Sequence, residues 1–129
     1  VTEVFPLDVA AAGRARRLVA DRLDAWDMAA LSGSLALAAS ELVTNAVRYG
    51  RGPIVVRLEA RDDRVRLEVE DRGGGRPAVQ PVDPTGHTVG GWGLRMVDQV
   101  VDAWGAEVGD HQTLVWVELT LQPPATGPS

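Results

Sequence analysis

At 129 residues, with 45% hydrophobic and 24% charged side chains, the chain has the size and composition of one soluble globular domain with one core. A net charge of −5 argues against a nucleic-acid binder, which carries a basic patch, and the absence of cysteine excludes disulfides, thiolate metal sites and cysteine nucleophiles. All 13 basic residues are arginine, so phosphate can be met only by Arg, by backbone N–H groups or by a metal ion, and two histidines, His87 and His111, are too few for a histidine-rich metal site.

Residues 2–7 are short, apolar and broken by Pro6, the pattern of an edge strand. Asp8 is a good N-cap for a helix running to Trp26, with Ala12, Ala15, Val19, Leu23 and Trp26 on one face and Arg14, Arg17, Asp21 and Asp24 opposite. A second helix is expected from Ala29 to Tyr49, ended by Gly50 and Gly52, with an apolar stripe of Leu31, Leu35, Ala38, Leu42 and Ala46. Strands follow at Ile54–Arg61 and Val65–Asp71, joined by a hairpin turn at Asp62-Asp63. The stretch from Arg72 to Gly93 holds seven glycines and three prolines; a connection of that length reads as a functional lid, expected to be mobile without ligand. A third helix from Gly93 to Ala103 and strands at Trp104–Val108 and Thr113–Leu121 complete residues 1–121 as one domain, with a frayed tail at 122–129. The order predicts an α+β two-layer sandwich, a mixed, mostly antiparallel sheet covered on one face by about three helices. No apolar run is expected to span a bilayer, the N-terminus lacks the layout of a secretion signal, and the simplest compartment is the cytoplasm, with no membrane partner.

Strand parity singles out two polar residues. In Val65-Arg66-Leu67-Glu68-Val69-Glu70-Asp71 the odd positions are apolar, so Asp71 points into the covered face, where a carboxylate is costly without partners. It either accepts a ligand N–H or caps the glycine-rich turn at Gly73-Gly74-Gly75 through its own backbone. Thr113 shares the parity of Val115, Val117 and Leu119; alone it reads as a structural threonine, and with Asp71 it could floor an apolar pocket. On the second helix Glu41, Asn45 and Arg48 share a face at i, i+4 and i+7. That triplet is either a solvated edge or phosphoryl-transfer chemistry, in which an amide oxygen suits Mg²⁺ and a carboxylate one turn away takes the proton of an attacking hydroxyl. Gly90-Gly91-Trp92-Gly93-Leu94 opens the third helix with glycines that let phosphate approach free N–H groups; by itself it is a weak signal. There is no Walker A motif and no GxGxxG between strand and helix.

Together these segments resemble the Bergerat-type ATP-binding fold shared by gyrase, histidine kinases and anti-sigma-factor kinases. Glu41-Leu42-Val43-Thr44-Asn45-Ala46 is similar to the N box E-x-x-x-N-A, Asp71-Arg72-Gly73-Gly74-Gly75 to the adenine box D-x-G-x-G, and Gly91-Trp92-Gly93-Leu94 to the second glycine box G-x-G-L; Thr113 stands where the family has a threonine. The small size and the run ELVTNAVRYG resemble the anti-sigma-factor serine/threonine kinases, in particular their stand-alone actinobacterial relatives. The resemblance implies ATP and Mg²⁺ as cofactors, Glu41 as general base, Asn45 as the Mg²⁺ ligand and Arg48 beside it in the nucleotide site. It further implies Asp71 on the adenine amino group with Thr113 in support, and Gly73, Gly75, Gly91, Trp92, Gly93 and Leu94 around the phosphates. Implied partners are an anti-sigma-factor antagonist, a sigma factor, or both, with a homodimer possible. Tyr49, where such kinases often have histidine, Gln112 and the bulky Trp92 depart from the pattern and bear on transfer, not on the core motifs. Two other readings are a nucleotide-dependent binding module without transfer and the catalytic domain of a histidine kinase; no segment before the first helix resembles a phosphoacceptor hairpin.

Overall fold

The computed structural model describes residues 1–73 and 94–121. The expected lid and the tail therefore lie outside the described residues, as do Gly75, Gly91, Trp92 and Gly93. The elements are β1 (Thr2–Phe5), α1 (Ala11–Ala25), a single 3₁₀ turn (Ala29–Leu31), α2 (Ser32–Tyr49), β2 (Ile54–Arg61), β3 (Arg64–Asp71), α3 (Leu94–Val100), β4 (Ala103–Val108) and β5 (Thr113–Thr120). The strands form one sheet in the order β1-β2-β3-β5-β4. Every neighbouring pair is antiparallel, where a mixed sheet had been allowed for. The α+β sandwich stands, and β1 lies at the sheet edge as its Pro-terminated pattern predicts.

Parity along the central strands decides what is core. Ile54, Val56 and Leu58 of β2, Val65, Leu67 and Val69 of β3, and Val115, Val117 and Leu119 of β5 are all buried. Their registers run across the sheet as Leu58↔Leu67↔Val117 and Val56↔Val69↔Val115, so one row of apolar pairs continues into the next. Against this face lies α2, with Leu35, Ala38, Ala39, Leu42, Val43 and Ala46 buried, and α1 packs onto α2 through Ala11, Ala15, Leu18, Val19 and Leu23. By length and composition alone the segment Ala29–Arg48, mean hydropathy 1.2, is apolar enough to cross a membrane, contrary to the expectation from the sequence. Here it serves as the core helix, and its apolar residues are those that meet the sheet and α1.

The helix ends correct the expected boundaries. Asp8 does not cap α1 directly: its Oδ1 accepts the Ala10 N–H at 2.8 Å and its carbonyl accepts the Ala11 N–H at 2.9 Å, so the helix begins at Ala11. At the other end Asp27 adopts φ 60° while Met28 N–H reaches the Leu23 carbonyl at 2.7 Å and Asp27 N–H the Asp24 carbonyl at 3.2 Å. That is a Schellman stop with an aspartate in the left-handed position and buried Met28 and Leu23 as its apolar contact. The second helix starts at Ser32, because residues 29–31 form the 3₁₀ turn. The third ends at Val100 and not at Ala103: Asp102 donates its N–H to the Glu118 carbonyl and accepts the Thr120 N–H at 2.6 Å, drawing Ala103 into β4.

The outer face of the sheet is a cross-strand ladder of charge. Arg57 bridges Glu68 at 3.4 Å and Glu70 at 3.1 Å, and Arg66 bridges Glu68 at 2.8 Å and Glu118 at 2.9 Å. Burial pulls the Arg66 guanidinium down, but its hydrogen bonds to Glu68 and Glu118 and their charges outweigh that and hold it above its ordinary value. The same guanidinium stacks 4.4 Å from the centre of the Trp116 ring. Trp116 in turn lies across Gly105, its register partner on β4, where a Cβ would come within 2.7–2.9 Å of three indole atoms. Gly105→Ala is expected to displace the indole and lower stability by about 1 kcal/mol, a fall of roughly 4 °C in Tm. An unchanged thermal unfolding curve would show that the indole yields freely.

Candidate functional site

Three polar side chains are buried among the described residues: Asn45, Asp71 and Thr113, exposed by only 4%, 3% and 0%. All three belong to the motifs singled out from the sequence. Asp71 and Thr113 face each other across the β3–β5 ladder, as the last pair in the row that otherwise holds Val65↔Leu119, Leu67↔Val117 and Val69↔Val115. The apolar face of the sheet therefore ends in one acceptor and one hydroxyl side by side, at the end of β3 and the start of β5.

Asp71 caps its own turn. Its Oδ1 accepts the Gly73 N–H at 2.6 Å. A Cβ on Gly73 would lie 2.6 Å from the same oxygen, so glycine is needed there for space. The neighbouring Arg72 N–H donates to the Arg51 carbonyl at 2.8 Å, which ties the turn after β3 to the chain leaving α2. The C-terminal end of α2 is thus brought against Asp71, and Asn45 lies five residues back from Gly50, about 7.5 Å along the helix axis.

The triplet on α2 is graded in burial. Asn45 is buried, Glu41 is half-buried and Arg48 is exposed. Helical rotation explains the grading: relative to Glu41, Asn45 lies about 40° toward the core side and Arg48 about 20° the other way. The sequence spacing had placed the three on one face; the structure grades them from a buried amide through a half-buried glutamate to an exposed arginine.

Among the described residues, two buried atoms, Asn45 Nδ2 and Thr113 Oγ1, have no hydrogen-bond partner. Each such unmet group costs about 1–3 kcal/mol, so these two atoms call for polar groups beyond the described residues. The set fits a nucleotide with a divalent cation. Asn45 offers a donor to a phosphate oxygen or, with its amide turned over, an oxygen to a hard cation. Thr113 can donate and accept, and Asp71 accepts N–H donors. Leu94 opens α3, which packs on α2 and buries Val97 fully. A groove of about 500 Å³ between β1 and α1, lined by Glu3, Phe5, Arg14, Leu18 and Asp21 among others, contains none of these motif residues.

A five-stranded antiparallel sheet, helices on one face and buried Asn, Asp and Thr at one end define a nucleotide-binding α+β domain. The chain belongs to the family of histidine kinase-like ATPase domains, whose sequence profile matches residues 5–119. Solved structures agree on the fold. The RsbU and RsbW domains of Rv1364c from Mycobacterium tuberculosis match with a TM-score of 0.73 at 23% identity, over 100% of this chain but only 34% of that one. The histidine kinase domain of a blue-light activated histidine kinase from Erythrobacter litoralis matches at 0.57 and 22% identity, over 90% of this chain and 65% of that one. The histidine kinase AdeS from Acinetobacter baumannii matches at 0.59 and 17% identity, over 95% and 68%. No protein of curated function matches the sequence.

Sequence reasoning treated Gly50 only as a helix stop. In the fold it follows the last residue of α2 and lies against the Asp71 carboxylate, where a Cβ would come within 2.5–2.7 Å of three carboxylate atoms; its position directly after the N-box helix was the available signal.

Proposed function

We propose that this chain binds Mg-ATP and acts as a regulatory serine/threonine protein kinase of the anti-sigma-factor type, transferring the γ-phosphate to a serine or threonine of an antagonist protein. The observation that carries the reading is the buried trio Asn45, Asp71 and Thr113, two of them with polar atoms unmet among the described residues, with Glu41 one helical turn from Asn45. In this reading Asp71 accepts the exocyclic amine of adenine and Thr113 supports it from the neighbouring strand. Asn45 holds the cation, which when bound would neutralise phosphate charge. Gly73 leaves room for the base beside Asp71, and Arg48, at the solvent margin, lies near the phosphates. Gly75, Gly91, Trp92, Gly93 and Leu94 are assigned to the phosphate-covering segment by motif. Glu41 takes the proton from the attacking hydroxyl as its oxygen bonds to the γ-phosphorus, the bond to the β,γ-bridging oxygen breaks, and ADP leaves. A cytoplasmic setting and an antagonist or sigma-factor partner follow from the same reading, as does a possible homodimer.

Two measurements test it. Asp71→Asn exchanges a charged acceptor for a neutral amide, and a hydrogen bond to a charged group is worth about 1.5–3 kcal/mol, so ATP affinity by calorimetry should fall roughly 10- to 100-fold. Unchanged affinity would remove Asp71 from the nucleotide site. The wild-type protein mixed with Mg-ATP and candidate antagonists is then read by intact mass. A phosphate gain on one of them supports the kinase, whereas binding without any gain favours the nucleotide-dependent binding module.

A further inference from the structure

Gly50 ends α2, and its N–H still closes the helix by donating to the Ala46 carbonyl at 2.9 Å. Its backbone, φ −96° and ψ −168°, is extended and open to any residue, so torsion does not require glycine. Space does. A Cβ built at Gly50 would lie 2.5 Å from Asp71 Cγ, 2.6 Å from Oδ1 and 2.7 Å from Oδ2, so its three nearest neighbours are the three atoms of one carboxylate group. Gly73 closes on the same point from the other side: a Cβ there would meet Asp71 Oδ1 at 2.6 Å and the Gly50 Cα at 3.1 Å. The carboxylate is held between two glycines from separate segments, and the Arg72–Arg51 backbone hydrogen bond at 2.8 Å fixes the distance between those segments. The carboxylate cannot retreat toward the core either, since Asp71 is already 3% exposed and paired in register with fully buried Thr113.

We infer that Gly50 is a positioning residue that sets base specificity: the lack of a side chain at the end of α2 lets the Asp71 carboxylate occupy the one position from which it selects a purine bearing an exocyclic amine. The inference rests on the assignment of Asp71 to the base given above, and it makes the helix that carries Glu41 and Asn45 also the element that aims the base-reading group. The three atoms nearest to a side chain at residue 50 all belong to that carboxylate, so the carboxylate is the group it displaces first. The loss therefore falls on discrimination between bases and not on nucleotide binding as a whole.

The probes are ATP and inosine triphosphate, which replaces the exocyclic amine with a carbonyl oxygen and carries a proton on N1, with the ribose and triphosphate unchanged. Wild-type protein should prefer ATP by about tenfold or more, the loss expected from one hydrogen bond to a charged group. In Gly50→Ala the ATP preference should collapse to within about threefold, with inosine triphosphate affinity changed by less than about threefold. Gly33→Ala, on the same helix with nothing within 4 Å of the added carbon, should keep the wild-type preference. A Gly50→Ala protein that retains the wild-type preference overturns the inference. A wild type without preference overturns the assignment of Asp71 to the base, and the inference with it. Unfolding supplies a second reading should Gly50→Ala fold poorly: the fall in Tm that it causes should shrink by at least half in the Asp71→Ala background, because the clash is with that carboxylate. An equal fall in both backgrounds, or loss of folding in both, would show that the added carbon meets something else and would overturn the inference.

Discussion

Replacing Glu41 by alanine should lower phosphoryl transfer by about 10²- to 10⁴-fold, the range contributed by a positioned proton acceptor, while ATP affinity stays within a few-fold. The separation is expected because Glu41 is half-buried at the margin of α2, one turn from Asn45 and outside the buried trio. Glu41 is not among the buried core residues, and alanine is the better helix former, so the fold should persist. Single-turnover transfer read by intact mass, beside calorimetric ATP binding on the same preparations, separates the two effects. Glu41→Gln keeps the shape and loses the proton acceptor, so it should match Glu41→Ala. Transfer within tenfold of wild type in either variant would sink the assignment of Glu41 as base and point to a reaction carried by positioning alone.

The largest stability effect should come from Leu67. It lies midway along β3, the central strand of the sheet, fully buried, with Leu58 and Val117 as its register partners and equally buried on either side. Leu67→Ala empties a site bounded by two strands that cannot approach each other without breaking the ladder, so the cavity persists. The loss should be about 3 kcal/mol, within the range of roughly 2–5 for such changes, and Tm should fall by about 10 °C. Glu68→Ala, one residue along on the outer face, removes half-buried ion pairs to Arg57 and Arg66 and should cost about 1 kcal/mol or less. Equal losses from the two substitutions in denaturant titrations would mean that the apolar row is not what holds the sheet.

Much of this was legible in the residues. Alternation in residues 65–71 and 113–119 placed Asp71 and Thr113 on the core face, because a strand has only two faces and the apolar residues claim one. The faces of α1 and α2 emerged with small changes: Leu18, Ala39 and Val43 joined the core, while Ala12, Trp26 and Leu31 are only partly buried at its margin. Alternation says nothing of which strand pairs with which residue, so the Asp71↔Thr113 register and the stacking of Trp116 on Gly105 had to be seen. The same holds for Gly50, whose role depends on a contact across 21 residues of sequence that no local pattern encodes. Helix ends were misplaced where tertiary hydrogen bonds decide them, as Asp102 does at the start of β4. For Glu41, Asn45 and Arg48 the spacing was right, but only packing could show that some 40° of rotation separates a buried amide from a carboxylate at the margin.

The shared parity of pocket and core limits how such a protein can change over descent. Asp71 and Thr113 terminate the same inward-facing rows that hold Leu67 and Val117. Inserting or deleting one residue within β3 or β5 would turn the whole row outward from that point on. A shift early in β3 or late in the inward row of β5 therefore moves core and polar residues together. Heritable length variation is therefore channelled into the connections, such as residues 109–112 between β4 and β5. There a lineage can lengthen or shorten the chain while the polar end of the sheet is inherited together with the hydrophobic interior.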